Sequence, residues 1–148
     1  VWAELPARKE LRRMTIDPNT LIARARQCLD GAYAPYSRFQ VAAAILDDQG
    51  RVFTGVNVEN ISYGLSMCAE RVAVFTAIAA GSRRITAVAV TSSGADLLSP
   101  CGACRQVLAE FAGPDVPVYC DAPDSPRRWT VAQLLPAGFE AAQLGGRR

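Results

Sequence analysis

The spacing of apolar positions changes several times along this chain, and each change marks an element. Leu21, Ile22, Ala25, Cys28 and Leu29 recur at helical intervals behind Asp17-Pro18. Asp17 is placed to cap that helix, Pro18 suits its first position, and Gly31 ends it. Phe39 to Leu46 is apolar and strand-like, Asp47-Asp48-Gln49-Gly50 has turn chemistry, and Arg51 to Asn57 returns as the second strand of a hairpin. Val58 to Met67 is polar and irregular and reads as a loop. Cys68 to Ala80 forms a mostly buried helix stopped by Gly81. Ile85 to Thr91 is a β-branched strand, Ser92 to Pro100 a loop, and Cys104 to Phe111 a short helix ended by Gly113-Pro114. Val116 to Tyr119 is a further strand, and Thr130 to Leu135 a last short helix before Pro136.

The order helix, hairpin, helix, strand, helix, strand predicts an α/β fold. The expected architecture is three-layer α/β/α with a mixed sheet, its later strands parallel through right-handed crossovers and helices on both faces. The chain has no internal repeat, low-complexity tract or interdomain linker. Its 148 residues suit one domain with a real core, expected over residues 15–148. Residues 1–14 are expected to be a loosely ordered extension, or to lie upstream of a natural start at Met14. They carry Glu4, Arg8, Lys9, Glu10, Arg12 and Arg13 with no apolar stretch behind them, so they do not form a secretory signal. The longest near-apolar run, Val72 to Ala80, is nine residues, far short of a bilayer span, so no membrane partner is expected.

Charge adds to this picture through its location. The formal net charge is +2, but the excess sits at the ends of the chain. Residues 15–146 hold ten arginines against twelve acidic groups, a net of −2. That is not the clustered basic face of a nucleic-acid binder, and a small-molecule partner is expected instead.

Candidate chemistry begins with five cysteines and no histidine. An odd cysteine count without an export signal points to a reducing, cytoplasmic setting. Without histidine, neither a Ser-His-Asp triad nor a Cys-His pair can be built, and proton transfer falls to carboxylates, a thiol, tyrosine, the lone lysine or a metal-bound water. Cys101 and Cys104 have ligand spacing, and Cys68 opens the preceding helix. A thiolate at a helix N-terminus is favoured by unpaired N–H groups and the dipole. Three such thiolates converging at one end of the sheet would bind zinc and leave a fourth position for water. The C-x-x-C pair alone also fits a redox couple, or half of a structural zinc site with Cys28 or Cys120 as fourth ligand. Both of those cysteines read better as buried small hydrophobes.

Glu70 lies two residues after Cys68, about 200° away on a full helix. It reaches the same site only if Cys68 occupies the half-formed first position. Its plainer reading is a charge that complements the helix dipole. Asn57 and Glu59 are two apart in an extended segment, so their side chains share a face and together can hold a sugar hydroxyl. Taken alone they are ordinary strand-end polar residues, and Phe39 a core aromatic.

Four ordered stretches carry a resemblance. They are Ala34-Pro35-Tyr36-Ser37-Arg38-Phe39, Asn57-Val58-Glu59-Asn60-Ile61-Ser62-Tyr63-Gly64, Cys68-Ala69-Glu70-Arg71 and Ser99-Pro100-Cys101-Gly102-Ala103-Cys104-Arg105-Gln106. In this order, and continuing through Leu134-Leu135-Pro136 to Phe139, the chain resembles small zinc-dependent cytidine deaminases. The resemblance implies one zinc per subunit held by Cys68, Cys101 and Cys104, with Glu70 shuttling protons and Arg71 hydrogen-bonded to the thiolates. It implies that Asn57 and Glu59 bind the ribose, Phe39 walls the pocket, and the Ala69 backbone contacts the base. Tyr63 and Phe139 resemble positions that complete the pocket of a neighbouring subunit in a homotetramer. The implied reaction is hydrolytic deamination of cytidine and 2′-deoxycytidine by a zinc-activated water, in pyrimidine salvage. Arg105 and Gln106 are expected in packing or surface roles, and Ala42 stands where the family commonly has glycine. Arg71 and Arg105 are the obvious cations of the motif region, which favours a free nucleoside over a monophosphate. Two other readings remain: a related deaminase of a modified cytosine nucleoside or nucleoside antibiotic, and a non-catalytic zinc module with a fourth protein ligand.

Overall fold

Asp17 starts the first element by accepting a hydrogen bond from the Thr20 backbone N–H at 3.2 Å, and α1 then runs Pro18–Cys28. This computed structural model describes residues 16–144. The extension expected over residues 1–14 lies outside the described residues. The elements that follow α1 are β1 (Val41–Asp47), β2 (Val52–Val56), α2 (Ala69–Ala79), β3 (Ile85–Ser92), α3 (Gly102–Phe111), β4 (Pro117–Cys120), β5 (Arg127–Thr130) and α4 (Val131–Leu134). The hairpin between β1 and β2 closes through Gly50, at φ 79°, with the Asp47 N–H bonded to the Arg51 carbonyl at 3.0 Å. A left-handed residue in a short hairpin loop favours glycine there.

The sheet order is β2-β1-β3-β4-β5. Parallel pairing occurs between β3 and β4, which α3 connects, while the other neighbours run antiparallel. The expected parallel arrangement is therefore confined to that pair. Strand β5 is absent from the predicted order. Its residues, Arg127 to Thr130, form an edge with two exposed arginines and no apolar alternation.

β1 shows why its apolar run is continuous. Ala42, Ala44 and Leu46 pack against Leu21, Ile22 and Ala25 of α1, while Ala43 and Ile45 face the opposite layer. Side chains alternate across a strand, and burial on both sides leaves no polar position from Val41 to Leu46. Ala42 is fully buried in the α1 layer, so a methyl group is accommodated there. The second layer contains Ala69, Ala73 and Ala77 of α2, Leu108 of α3, and Val131 with Leu134 of α4.

Two features set the position of α2. A Cβ on Gly55 would lie 2.3 Å from the Ala73 backbone N and 2.6 Å from the Ala69 carbonyl, so the helix rests directly on β2. At its other end, fully buried Asp47 accepts from the Gln49 and Arg51 N–H groups, from Arg51 Nε at 2.8 Å, and from the Ser82 hydroxyl. Arg51 also donates to the Ala80 carbonyl. Burial pushes the Asp47 carboxyl up, but the donors from Ser82, Arg51 and Gln49 outweigh it and hold the group below its usual range. Among the described residues no helix is long and apolar enough to cross a membrane.

Candidate active site

Cys68 and Cys101 occupy the caps of α2 and α3 in extended backbone conformation, φ −74°, ψ 151° and φ −67°, ψ 165°. Their side chains project off the helix ends, the half-formed position that lets Cys68 and Glu70 share a site. Cys104 follows one turn into α3 and is buried. The sulfurs of Cys68 and Cys101 are 3.8 Å apart, those of Cys101 and Cys104 are 3.6 Å apart, and all three ligand atoms lie within 4.8 Å of one another. Zinc–sulfur bonds of about 2.3 Å at tetrahedral angles require sulfurs separated by about 3.8 Å. The donor set therefore fits zinc in both type and spacing.

Arg105 holds this geometry. Its guanidinium donates to the Pro100 carbonyl at 2.6 Å, the Leu134 carbonyl at 2.9 Å and the Ser99 hydroxyl at 3.1 Å. One planar fork thus ties the loop before Cys101 to α4. Gln106 donates to the Phe139 carbonyl at 2.9 Å.

The electrostatics of the cluster are unequal. A hydrogen bond from Cys104 is the largest influence lowering the Cys68 thiol, to about 5, with Arg71 adding to the effect against burial. Cys104, the donor in that pair and buried, is pushed up. Arg71 Nη2 donates to Cys68 Sγ at 3.6 Å. Glu70 is 4% exposed, and burial pushes its carboxyl above the usual range, with the charge on Cys68 adding. The arrangement therefore places a basic carboxylate beside a cluster of potential metal ligands.

Above these groups opens a cavity of about 450 Å³. Its walls include Asn57, Glu59, Tyr63, Cys68, Ala69, Glu70 and Cys101, so seven of the sequence-selected residues meet there. Phe39 and Phe139 do not line it within this chain. The Phe39 ring packs over Gly94 and is 38% exposed, while Phe139 is 60% exposed and borders a second groove beside α3.

The sugar-facing pair is anchored by backbone. Asn57 Oδ1 accepts from the Val41 N–H at 2.8 Å, and its Nδ2 donates to the Phe39 carbonyl at 2.9 Å. Glu59 Oε2 accepts from the Tyr36 and Ser37 N–H groups at 2.9 and 3.2 Å, and Oε1 accepts from the Ser37 hydroxyl. That hydroxyl is the leading influence holding the Glu59 carboxyl below its usual range. Ser37, Leu98 and Ser99 also line the cavity but have no role in the sequence reading. Ser37 and Ser99 stand inside the quoted motifs, yet their contacts depend on loops meeting in space.

Comparison with known proteins bears on this geometry. The model of the cytidine and deoxycytidylate deaminase zinc-binding region matches residues 16–120. A cytidine deaminase of Halalkalibacterium halodurans is 46% identical over 130 residues, covering 87% of this chain and 98% of the relative. The chain belongs to the cytidine deaminase family. The crystal structure of a cytidine deaminase from Burkholderia pseudomallei superimposes with a TM-score of 0.80 at 43% identity, covering 84% of this chain and all of that one. The Mycobacterium tuberculosis cytidine deaminase structure gives 0.76 at 46% identity, covering 85% and 99%.

As in the zinc-binding region of the cytidine deaminase family, the cofactor here is zinc, and the cysteine trio is the metal-competent cluster among the described residues. The remaining cysteines belong to the packing. Cys28 donates to the Ala25 carbonyl at 3.1 Å, and burial pushes the Cys120 thiol up to about 12. Neither joins the cluster, so the described residues offer no fourth sulfur for a closed structural site.

Proposed function

We propose that this protein hydrolyses cytidine and 2′-deoxycytidine to uridine and 2′-deoxyuridine, with release of ammonia. The observation that carries the reading is the buried Glu70 carboxyl beside three convergent cysteine sulfurs, facing a cavity of nucleoside size. Cys68, Cys101 and Cys104 would hold zinc, which when bound supplies an acidified water at its open fourth position. Glu70 would take one proton from the water and pass it to the ring nitrogen beside C4, where it stays in the product. As the water oxygen bonds to C4 and the C4–amino bond breaks, Glu70 would carry the second water proton to the amino group, which leaves as ammonia. Its raised affinity for protons suits a group that must both take and give one near neutrality. Arg71 donates to the Cys68 sulfur and offsets the negative charge of the thiolates.

Ala69, buried at the first turn of α2, presents backbone to the base, while Asn57 and Glu59 hold the sugar. Among the described residues lining the cavity there is no lysine or arginine, and Glu59 and Glu70 are acidic. A nucleoside is thus favoured over its 5′-monophosphate. Tyr63 is 72% exposed and, with Ile61, Leu65 and Phe139, supplies apolar surface for subunit contacts. On that basis we assign a homotetramer in which Tyr63 and Phe139 complete the pocket of a neighbouring subunit, and from membership of the cytidine deaminase family we propose a cytoplasmic place in pyrimidine salvage. Light scattering at the tetramer mass checks the assembly.

The test of the reaction is ultraviolet spectroscopy of zinc-loaded protein with cytidine and with cytidine 5′-monophosphate. Conversion of the nucleoside, with the monophosphate spared, is expected. Folded, zinc-loaded protein that leaves cytidine unchanged overturns the reading.

A further inference from the structure

The donor and acceptor capacity around Glu59 is unusually restrictive. A carboxylate oxygen has two lone pairs available for hydrogen bonding. Glu59 Oε2 uses both on the N–H groups of Tyr36 and Ser37. Oε1 uses one on the Ser37 hydroxyl. One acceptor position is therefore left on the whole carboxylate, and it belongs to Oε1. Two donors on a single oxygen fix where that atom sits but leave the carboxylate plane free to turn about it. The Ser37 hydroxyl, acting on the other oxygen, fixes the plane.

The hydroxyl itself is oriented. Ser37 Oγ accepts from the Phe39 N–H at 3.0 Å while donating its only proton to Glu59. It therefore has no proton left for a ligand, although Ser37 lines the cavity. The turn that presents it closes from the Arg38 N–H to the Ala34 carbonyl at 3.0 Å, with Arg38 at φ 57°. Across the cavity wall, Asn57 has spent one of its two N–H donors on the Phe39 carbonyl. One donor remains on Asn57 and one acceptor on Glu59, which together satisfy one hydroxyl in both directions.

We propose that Ser37 is a specificity-determining positioning residue, which aims the single free acceptor of Glu59 so that the site recognises one sugar hydroxyl of the nucleoside. This rests on the assignment of a nucleoside substrate. Ser37 touches neither the base nor the reacting carbon in this role. It acts through Glu59, and its effect is confined to substrates carrying the hydroxyl that Glu59 reads.

The experiment compares kcat/KM for cytidine with that for its 2′-deoxy, 3′-deoxy and 5′-deoxy analogues, in the wild type, Ser37→Ala and Ser37→Thr. The wild type is expected to discriminate most strongly against one analogue, which names the hydroxyl. Ser37→Ala should reduce that discrimination about tenfold, mainly through KM for cytidine, and leave the other two ratios within about twofold, on the scale of a lost charge-assisted hydrogen bond. Ser37→Thr, which keeps a hydroxyl, should restore it. A uniform loss across all four substrates would mean that Ser37 only supports the turn, and would overturn the proposal. So would a wild type that deaminates cytidine without preference for any sugar hydroxyl. A wild type inactive on cytidine would remove the functional reading itself, and this one with it.

Discussion

Glu70 stands where two features meet, burial that raises its proton affinity and closeness to the cysteine cluster. Glu70→Gln keeps the shape and removes the proton carrier. It is expected to lower kcat by roughly 10²–10⁴-fold while metal analysis still finds zinc at the wild-type ratio. Loss of metal in that variant would instead assign Glu70 to holding the cluster. The Cys101–Cys104 pair was legible from its one-turn spacing, whereas Glu70 taken alone read as a charge on the helix dipole, and its grouping with the three cysteines came from the family resemblance. Ser37 was not legible as a partner of Glu59. The two are separated by 22 positions and meet only because the turn at Arg38 folds back over the end of β2. Phe39 is similar in kind. Its spacing predicts a strand residue, yet β1 begins at Val41, and Asn57 holds the backbone on either side of Gln40.

At the scale of elements, most of the order could be read because α1 and α4 carry capping residues, Gly81 and Gly113-Pro114 follow the ends of α2 and α3, and each central strand has its own apolar run. The last helix is an example: Thr130 and Gln133 form a reciprocal cap where the sequence places its start. Strand β5 could not be read, since an edge strand need bury only one partner and carries Arg127 and Arg128 in exposed positions. Nor does the sequence reveal that Gly55 is the contact point for α2. With backbone atoms of Ala69 and Ala73 already closer than any Cβ tolerates, Gly55→Ala must push the helix away. We expect a loss of about 1–3 kcal/mol in denaturant unfolding. A displacement of about 1 Å at the cap that carries Cys68 should cost about 100-fold in kcat/KM. An alanine variant with wild-type activity would show that α2 shifts without disturbing the site.

For the molecule as a whole, pH and metal act on stability through different places. The Asp47 carboxyl is held low in the folded state, so its contribution is fully present above the unfolded value of about 3.9 and is lost as pH falls through the lower folded value. The difference in unfolding free energy between wild type and Asp47→Asn should therefore be constant from pH 7 to about 5 and shrink below about 4. Metal acts at the opposite end of α2. Chelation should abolish deamination and lower the melting temperature, and added zinc should restore both, because an ion bound only by the folded cluster stabilises it by mass action. Cys68 and Cys101 are 33 residues apart, on opposite sides of β3 and the exposed stretch from Ser93 to Leu97. A protease that nicks this stretch would leave two polypeptides clasped at their sulfurs. Such a severed enzyme should keep working and migrate as one body on a sizing column, because the β3–β4 ladder and the shared core join its halves as well, and stripping the ion should let them part at a lower denaturant concentration.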